Sequence, residues 1–219
     1  MLRVIFGAVS IGIMPKTHRV DVDVKEFCGW DEIKRILHRA KEGEERALIA
    51  ALFLTGGRIS EVLRLVKENF DLSRPDVVLV KGMHVSKRFK KVGEYWAMVD
   101  GKKKKRWKTE KVAEDRTFPI MRYEPPVPIL LNWLKGIPSG GKLFQMSRVQ
   151  AFLTIRSLGP DLYPHWFRAQ RASQLASEYD FDLHQLMDYF HWKDIHIAMH
   201  YSRLGWKGMA KQMVQKFGA

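Results

Sequence analysis

The sequence holds a single cysteine, Cys28, so no disulfide can form within the chain. That excludes a cross-linked secreted scaffold and makes a reducing, cytoplasmic setting the expectation. No run approaches the ~20 consecutive apolar residues that a bilayer span needs. Residues 1–14 (MLRVIFGAVSIGIM) are apolar, but they lack a small-x-small cleavage pattern and lead into a basic stretch. They read as a strand or packed terminal segment rather than a signal peptide. Internal repeats are absent, and Lys102, Lys103, Lys104 and Lys105 form the one low-complexity run. Acidic residues are scarce beside basic ones: 24 Asp plus Glu face 38 Lys plus Arg, a formal charge of +14. Such an excess calls for a polyanionic partner, either nucleic acid or an anionic membrane face.

With 46% hydrophobic and 28% charged residues over 219 positions, the rest is an ordinary globular mixture. It can bury a real core as one large domain, or one domain with a small appendage. The positive charge is concentrated. Positions 81–111 carry 12 Lys or Arg against Glu94, Asp100 and Glu110, a local excess of +9. Most such runs are solvated loops, but Trp96 and Trp107 interrupt this one and alternating segments flank it. An ordered basic hairpin is therefore expected, with Lys102, Lys103, Lys104, Lys105 and Arg106 lying on a phosphate backbone.

Apolar spacing predicts a helix over 30–40 behind an Asp31 cap, and a richly apolar one over 44–54. After Gly56-Gly57, Ile59, Val62, Leu63 and Val66 predict a second amphipathic helix. Strands are expected at 76–80, 94–99 and 116–120, with Pro119 ending the pairing of the last. Pro126 and Pro128 open a helix over 129–135. Ser147 caps another over 149–158, stopped by Gly159-Pro160. Helices over 166–178, 183–190, 195–201 and 207–217 complete a mainly α fold with a small antiparallel β-sheet (α+β).

Three distant segments carry candidate chemistry. TGGRISE at 55–61 places Arg58 after a glycine turn at a helix start, where a guanidinium beside free N–H groups suits a phosphate. PHWFR at 164–168 puts His165 and Arg168 three residues apart on one helical face. In FHWKDIHIAMHYSR at 190–203, Tyr201 follows Trp192 by nine residues. Each has a bland alternative: a surface arginine, a capping histidine, a half-buried tyrosine. His196 and His200, spaced i, i+4, form half of a metal site with no recognisable third ligand, so metal binding is not expected.

Taken together, these segments resemble the tyrosine recombinases, the phage-type integrases and their bacterial and archaeal relatives. TGGRISEVLRL is similar to the family's first arginine motif and PHWFR to its H-x-x-R motif. DLHQLMDYFHW at 182–192 is similar to the helix that precedes the nucleophile, and RTFPI at 116–120 to the R-x-x-P-[LI] strand end. The likeness covers residues 30–203, with 1–29 an N-terminal segment and 204–219 a C-terminal helix that could dock on a neighbouring protomer. The family's N-terminal helical domain has no counterpart here, so a catalytic domain alone is expected.

The resemblance implies an α+β catalytic domain that cleaves and rejoins double-stranded DNA through a 3′-phosphotyrosine. Tyr201 would be the nucleophile, His165 its base, and Arg58 and Arg168 the clamp on the non-bridging oxygens. Trp192 would donate one N–H to the phosphate, with His191 its competitor for that place. The hairpin lysine that protonates the leaving 5′-oxygen is Lys87, Lys108 or Lys111. No metal, cofactor or ATP is implied. The partners implied are duplex DNA and a homo-oligomer, a tetramer on DNA, which would place the protein in the cytoplasm on the nucleoid. A type IB topoisomerase-like nicking-closing enzyme and a non-catalytic DNA-binding protein on the same scaffold are the competing readings.

Overall fold

Helix α2 (Glu44–Thr55) is apolar on every side, and every residue from Ala47 to its end is buried, as expected of a central helix. In the computed structural model, which describes residues 26–86, 89–201 and 213–214, the other elements are arranged around it. Helix α1 (Trp30–Arg39) turns Ile33, Ile36 and Leu37 inward. Phe27 and Trp30 meet Phe53 of α2 at ring separations of 6.2 and 5.7 Å. The N-cap of α1 is Gly29 rather than the expected Asp31, which lies in the first turn beside Glu32, where a negative charge suits the helix N-terminus.

Helix α3 (Ile59–Val62) is a single turn. The longer helix expected from Leu63 and Val66 does not form, because the chain leaves to bridge Val66 to Lys142, while Asn69 Oδ1 accepts the Val66 N–H. A short 3₁₀ turn at Lys67–Asn69 then leads into β1 (Phe70–Asp71). β1 pairs antiparallel with β2 (Val77–His84), which pairs with β5 (Asp115–Met121), giving a three-stranded sheet in the order β1-β2-β5. Between β2 and β5 rises a separate hairpin of β3 (Phe89–Val99) and β4 (Lys102–Lys111). The basic run is thus an ordered hairpin, as expected, but it forms its own two-stranded sheet rather than part of one central sheet.

Pro119 does not end the pairing of β5, which continues through Ile120 opposite Val78 and Met121 opposite Val77. β5 is an edge strand, so a missing N–H on its open side costs no ladder bond. Its alternation places Arg116, Phe118 and Ile120 inside and Asp115, Thr117 and Pro119 outside.

The remaining helices follow the expected order: α4 (Val127–Lys135), α5 (Arg148–Ser157), α6 (Pro164–Glu178), α7 (Leu183–Phe190) and α8 (Ile195–Tyr201). Ser147 caps α5 and Asp182 caps α7, each accepting from the backbone N–H three residues on. Residues 1–25 of the expected N-terminal segment 1–29, Lys87, and all but residues 213–214 of the C-terminal helix lie outside the described residues. Among the described residues no helix is long and apolar enough to cross a membrane.

Candidate functional site

The turn after α2 brings the first arginine into position. Gly56 adopts φ 53°, and a Cβ there would come within 2.4 Å of the Phe190 ring. A Cβ on Gly57 would come equally close to Met83. Two glycines let α2 end against α7 and β2. Arg58 follows directly. Its Nη1 donates to Glu61 Oε1 at 2.8 Å and to the Ser86 carbonyl at 3.3 Å, and a third of its side chain is exposed.

Glu61, the last residue of TGGRISE and given no role by the sequence, is a structural centre of the site. Only 1% exposed, it accepts from the Arg58 backbone N–H at 2.9 Å, and from both the N–H and the hydroxyl of Ser86 at 2.9 and 2.8 Å. Burial opposes its ionisation, but the hydrogen bonds from Arg58 and the nearby Arg168 and Arg58 charges outweigh it, taking the carboxyl down to about 2. A depressed acid contributes stability that is complete above its unfolded value and lost as pH falls. Glu61→Gln is therefore expected to flatten the acid limb of the stability curve between about pH 4.5 and about pH 2, as read by urea midpoints across that range.

Arg168, from the first turns of α6, is 2% exposed. Nη1 donates to the Gly56 carbonyl at 2.6 Å and Nη2 to the Phe190 carbonyl at 3.4 Å, while its guanidinium carbon lies 4.8 Å from the Phe190 ring centre and 5.3 Å from that of Trp192. Burial pushes it down to about 9, with Arg116 and Arg58 adding repulsion. Arg116, the first residue of the RTFPI strand end and given no role there, is buried as well, donating to the Tyr189 and Thr55 carbonyls at 2.6 and 2.8 Å, and burial takes it down to about 10. The alternation of RTFPI, which puts Arg116 on the core face with Phe118 and Ile120, is the signal that could have found it. Three guanidinium groups with one buried carboxylate among them leave a net positive site suited to an anion.

Tyr201, at the end of α8, is 5% exposed. Its Oη lies 2.8 Å from Nε2 of His165, so the hydroxyl can donate to a neutral imidazole. Burial raises the phenol above its ordinary value, and the Arg168 charge opposes that shift. The Trp192 ring stacks on Tyr201 at 5.0 Å and on Phe190 at 4.5 Å. His191 turns away: at φ 54° it ends α7, and its Nε2 meets Glu114 Oε2 at 2.9 Å. Of the two candidates for that place, Trp192 is the one in contact with Tyr201.

A cleft of about 930 Å³ opens beside these groups, lined by Arg58, Arg64, Lys111, Arg148, Tyr163 and His165 among others. Lys111, the last residue of β4, thus shares a cavity with Arg58 and His165. Lys108 stands further along β4, opposite Gly93 and on the other face of the hairpin. Lys102, Lys103, Lys104, Lys105 and Arg106 are all exposed, Lys104 near Asp100 at 3.6 Å and Lys105 paired with Glu94. His200 meets the Tyr201 ring edge-on at 5.5 Å and His196 is exposed. No three His, Cys, Asp or Glu among the described residues are grouped to hold a metal ion.

No family model and no curated protein matches the chain. Solved structures do. XerA recombinase superposes with a TM-score of 0.59 at 16% identity, over 95% of this chain and 69% of its own. XerH site-specific recombinase bound to palindromic difH substrate, a post-cleavage complex, gives 0.57 at 13% identity over 87% of this chain. The chain spans 53% of that XerH chain's length. The Tn1549 transposon integrase in complex with transposon right end DNA gives 0.52 at 14% identity, over 90% of this chain and 67% of its own. The chain therefore has the tyrosine recombinase catalytic-domain fold, as the motifs implied.

Proposed function

We propose that the chain is a site-specific DNA recombinase, an integrase that cuts and rejoins DNA strands with Tyr201 as nucleophile, and that residues 30–203 are its catalytic unit. The observation that carries this reading is the contact of Tyr201 Oη with His165 Nε2 at 2.8 Å, beside Trp192 and within the field of Arg168 and Arg58. Three segments far apart in the chain supply these groups.

The chemistry balances without an added reactant. Tyr201 Oη attacks the scissile phosphorus while His165 Nε2 takes its proton, so an Oη–P bond forms as the P–O5′ bond breaks. The 5′-oxygen leaves with a proton from Lys111, and reversing the steps reseals the strand. Arg58 and Arg168 bear on the non-bridging oxygens, where charge grows on the way to the pentacoordinate phosphorus. The positive site also offsets the cost of turning a buried phenol into a phosphate ester. Rejoining needs no nucleotide, because the phosphotyrosine link keeps the bond energy.

DNA as partner is supported by the charge of the hairpin and by solved neighbours of the same fold that are held in complexes with DNA. A tetramer on two duplexes follows from strand exchange. The enzyme is expected to trap itself covalently on a duplex nicked near the cleavage point, in EDTA and without ATP. The adduct is read as a detergent-stable shift on a gel. Trapping that needs magnesium would contradict the mechanism. An adduct with relaxation of supercoils but no exchange between two duplexes would favour the topoisomerase-like reading instead.

Replacing Lys102, Lys103, Lys104, Lys105 and Arg106 with glutamine is expected to weaken duplex binding at all sequences. The slope of log K against log salt should become shallower by about 0.9 for each phosphate that is no longer neutralised. Anisotropy titrations at several salt concentrations measure it, and an unchanged slope would remove these residues from the DNA interface.

A further inference from the structure

The two faces of the β3–β4 hairpin differ. Register puts Phe89 opposite Lys111, Glu94 opposite Trp107, Trp96 opposite Lys105 and Met98 opposite Lys103, so these residues share one face. Lys91 belongs to it too, its Nζ 4.4 Å from the centre of the Trp107 ring. The other face carries Tyr95, Lys102, Lys104, Arg106 and Lys108. The first face is the one that runs into the cleft, since Phe89 and Lys111 line the cavity that holds Arg58 and His165.

That face holds four large apolar side chains in the open, set among Lys91, Lys103, Lys105, Lys111 and one acid, Glu94. Trp96 is 64% exposed, Met98 68%, Phe89 58% and Trp107 48%. A two-stranded ribbon is marginal alone in water, and a row of exposed large apolar side chains marks a surface meant to be covered. Lysines are interleaved with the rings, which selects the occupant: a polyanion that also presents flat apolar surface. Nucleic acid has both, and base faces are open to an indole only where the bases are not stacked in a duplex.

We propose that this face of the hairpin is a stacking surface for unpaired bases of the bound DNA, with Trp96 and Trp107 under the bases and Lys91 and Lys103 on the flanking phosphates, Lys105 being paired with Glu94 beside the rings. The two indoles are diagonal neighbours across the strands, about 7–8 Å apart at the backbone, so they can hold two neighbouring bases at once. The favoured substrate is therefore DNA with a short unpaired stretch beside the cleavage point. This rests on DNA being the partner, though not on Tyr201 being the nucleophile.

The test compares binding of a perfect duplex with that of the same duplex carrying a three-nucleotide mismatched bubble. The wild type, the Trp96→Ala, Trp107→Ala double variant and the Trp96→Phe, Trp107→Phe double variant are each titrated. Wild type is expected to prefer the bubble by about tenfold, the scale of one to two stacked bases. The alanine pair should lose that preference while holding perfect-duplex affinity within about twofold. The phenylalanine pair, which keeps the rings, should retain most of it. No preference in wild type, or a preference that survives the alanine pair, overturns the proposal. It is equally overturned if the chain self-associates without DNA through this face and the alanine pair abolishes that association. Adduct formation on the nicked perfect duplex, followed in parallel, reports on catalysis separately: an adduct with no bubble preference sinks only the stacking surface, and a bubble preference with no adduct sinks only the strand-transfer reading.

Discussion

Tyr201→Phe is expected to bind duplex DNA as tightly as the wild type and to form no covalent adduct with it. The change removes one oxygen from a ring that stacks on Trp192 at 5.0 Å, so the packing stays while the attacking atom and its hydrogen bond to His165 disappear. The companion change, Arg168→Lys, is expected to lower single-turnover cleavage by roughly 10²–10³-fold, the usual cost of removing a donor from a developing oxyanion. Lysine is a point charge on a flexible stem and cannot reproduce a fork held at once by the Gly56 and Phe190 carbonyls. Single-turnover rates and anisotropy on the same nicked duplex check both. An adduct from Tyr201→Phe at the wild-type rate would remove the nucleophile assignment.

The second large effect is on stability. Arg171 and Glu124 are almost fully buried, with side chains 1% and 0% exposed, and they meet at 2.6 Å. Arg171 also donates to Gln174 Oε1 and to the Tyr189 hydroxyl, which itself donates to the Leu54 carbonyl; Tyr179 donates to the second oxygen of Glu124. This network ties α6 to α7, to the end of α2 and to the loop before α4. Arg171→Met would leave the Glu124 carboxylate buried without its cation, at a cost of about 3–5 kcal/mol. Adding Glu124→Leu is expected to recover much of that loss, because two apolar side chains replace a pair whose desolvation was costly. Urea unfolding of the two single variants and the double gives the cycle. A double variant no more stable than Arg171→Met would mean the network is worth more than its ion pair.

Local causes are legible in the sequence and distant ones are not. The helices at 183–190 and 195–201 and the cap at Ser147 rest on local spacing and capping chemistry, and they appear where expected. Elements set by tertiary partners are less legible. Val66 continues a helical pattern, but its bridge to Lys142 draws it out of the helix. Pro119 breaks central strands, yet nothing in its neighbours says that β5 is an edge.

The same split runs through the site. Arg58, His165, Arg168, Trp192 and Tyr201 can be picked out by motif. The choice of Trp192 over His191, and the place of Lys111 in the cleft ahead of Lys108, depend on how the chain folds back. Glu61 and Arg116 stand inside quoted motifs, as the last residue of TGGRISE and the first of RTFPI, but the motifs give them no role because their roles lie in burial. Each holds other groups in place through partners far away in sequence, Ser86 for one, and Thr55 and Tyr189 for the other.

The most direct measurement is the site of covalent attachment. The adduct trapped on a nicked duplex in EDTA is digested with protease and nuclease, and the modified peptide is sequenced by mass spectrometry. A nucleotide remnant on Tyr201, and on no other residue, is the expected result. A remnant on a different side chain, or none at all under conditions where DNA is bound, would contradict the assignment of Tyr201 as the nucleophile.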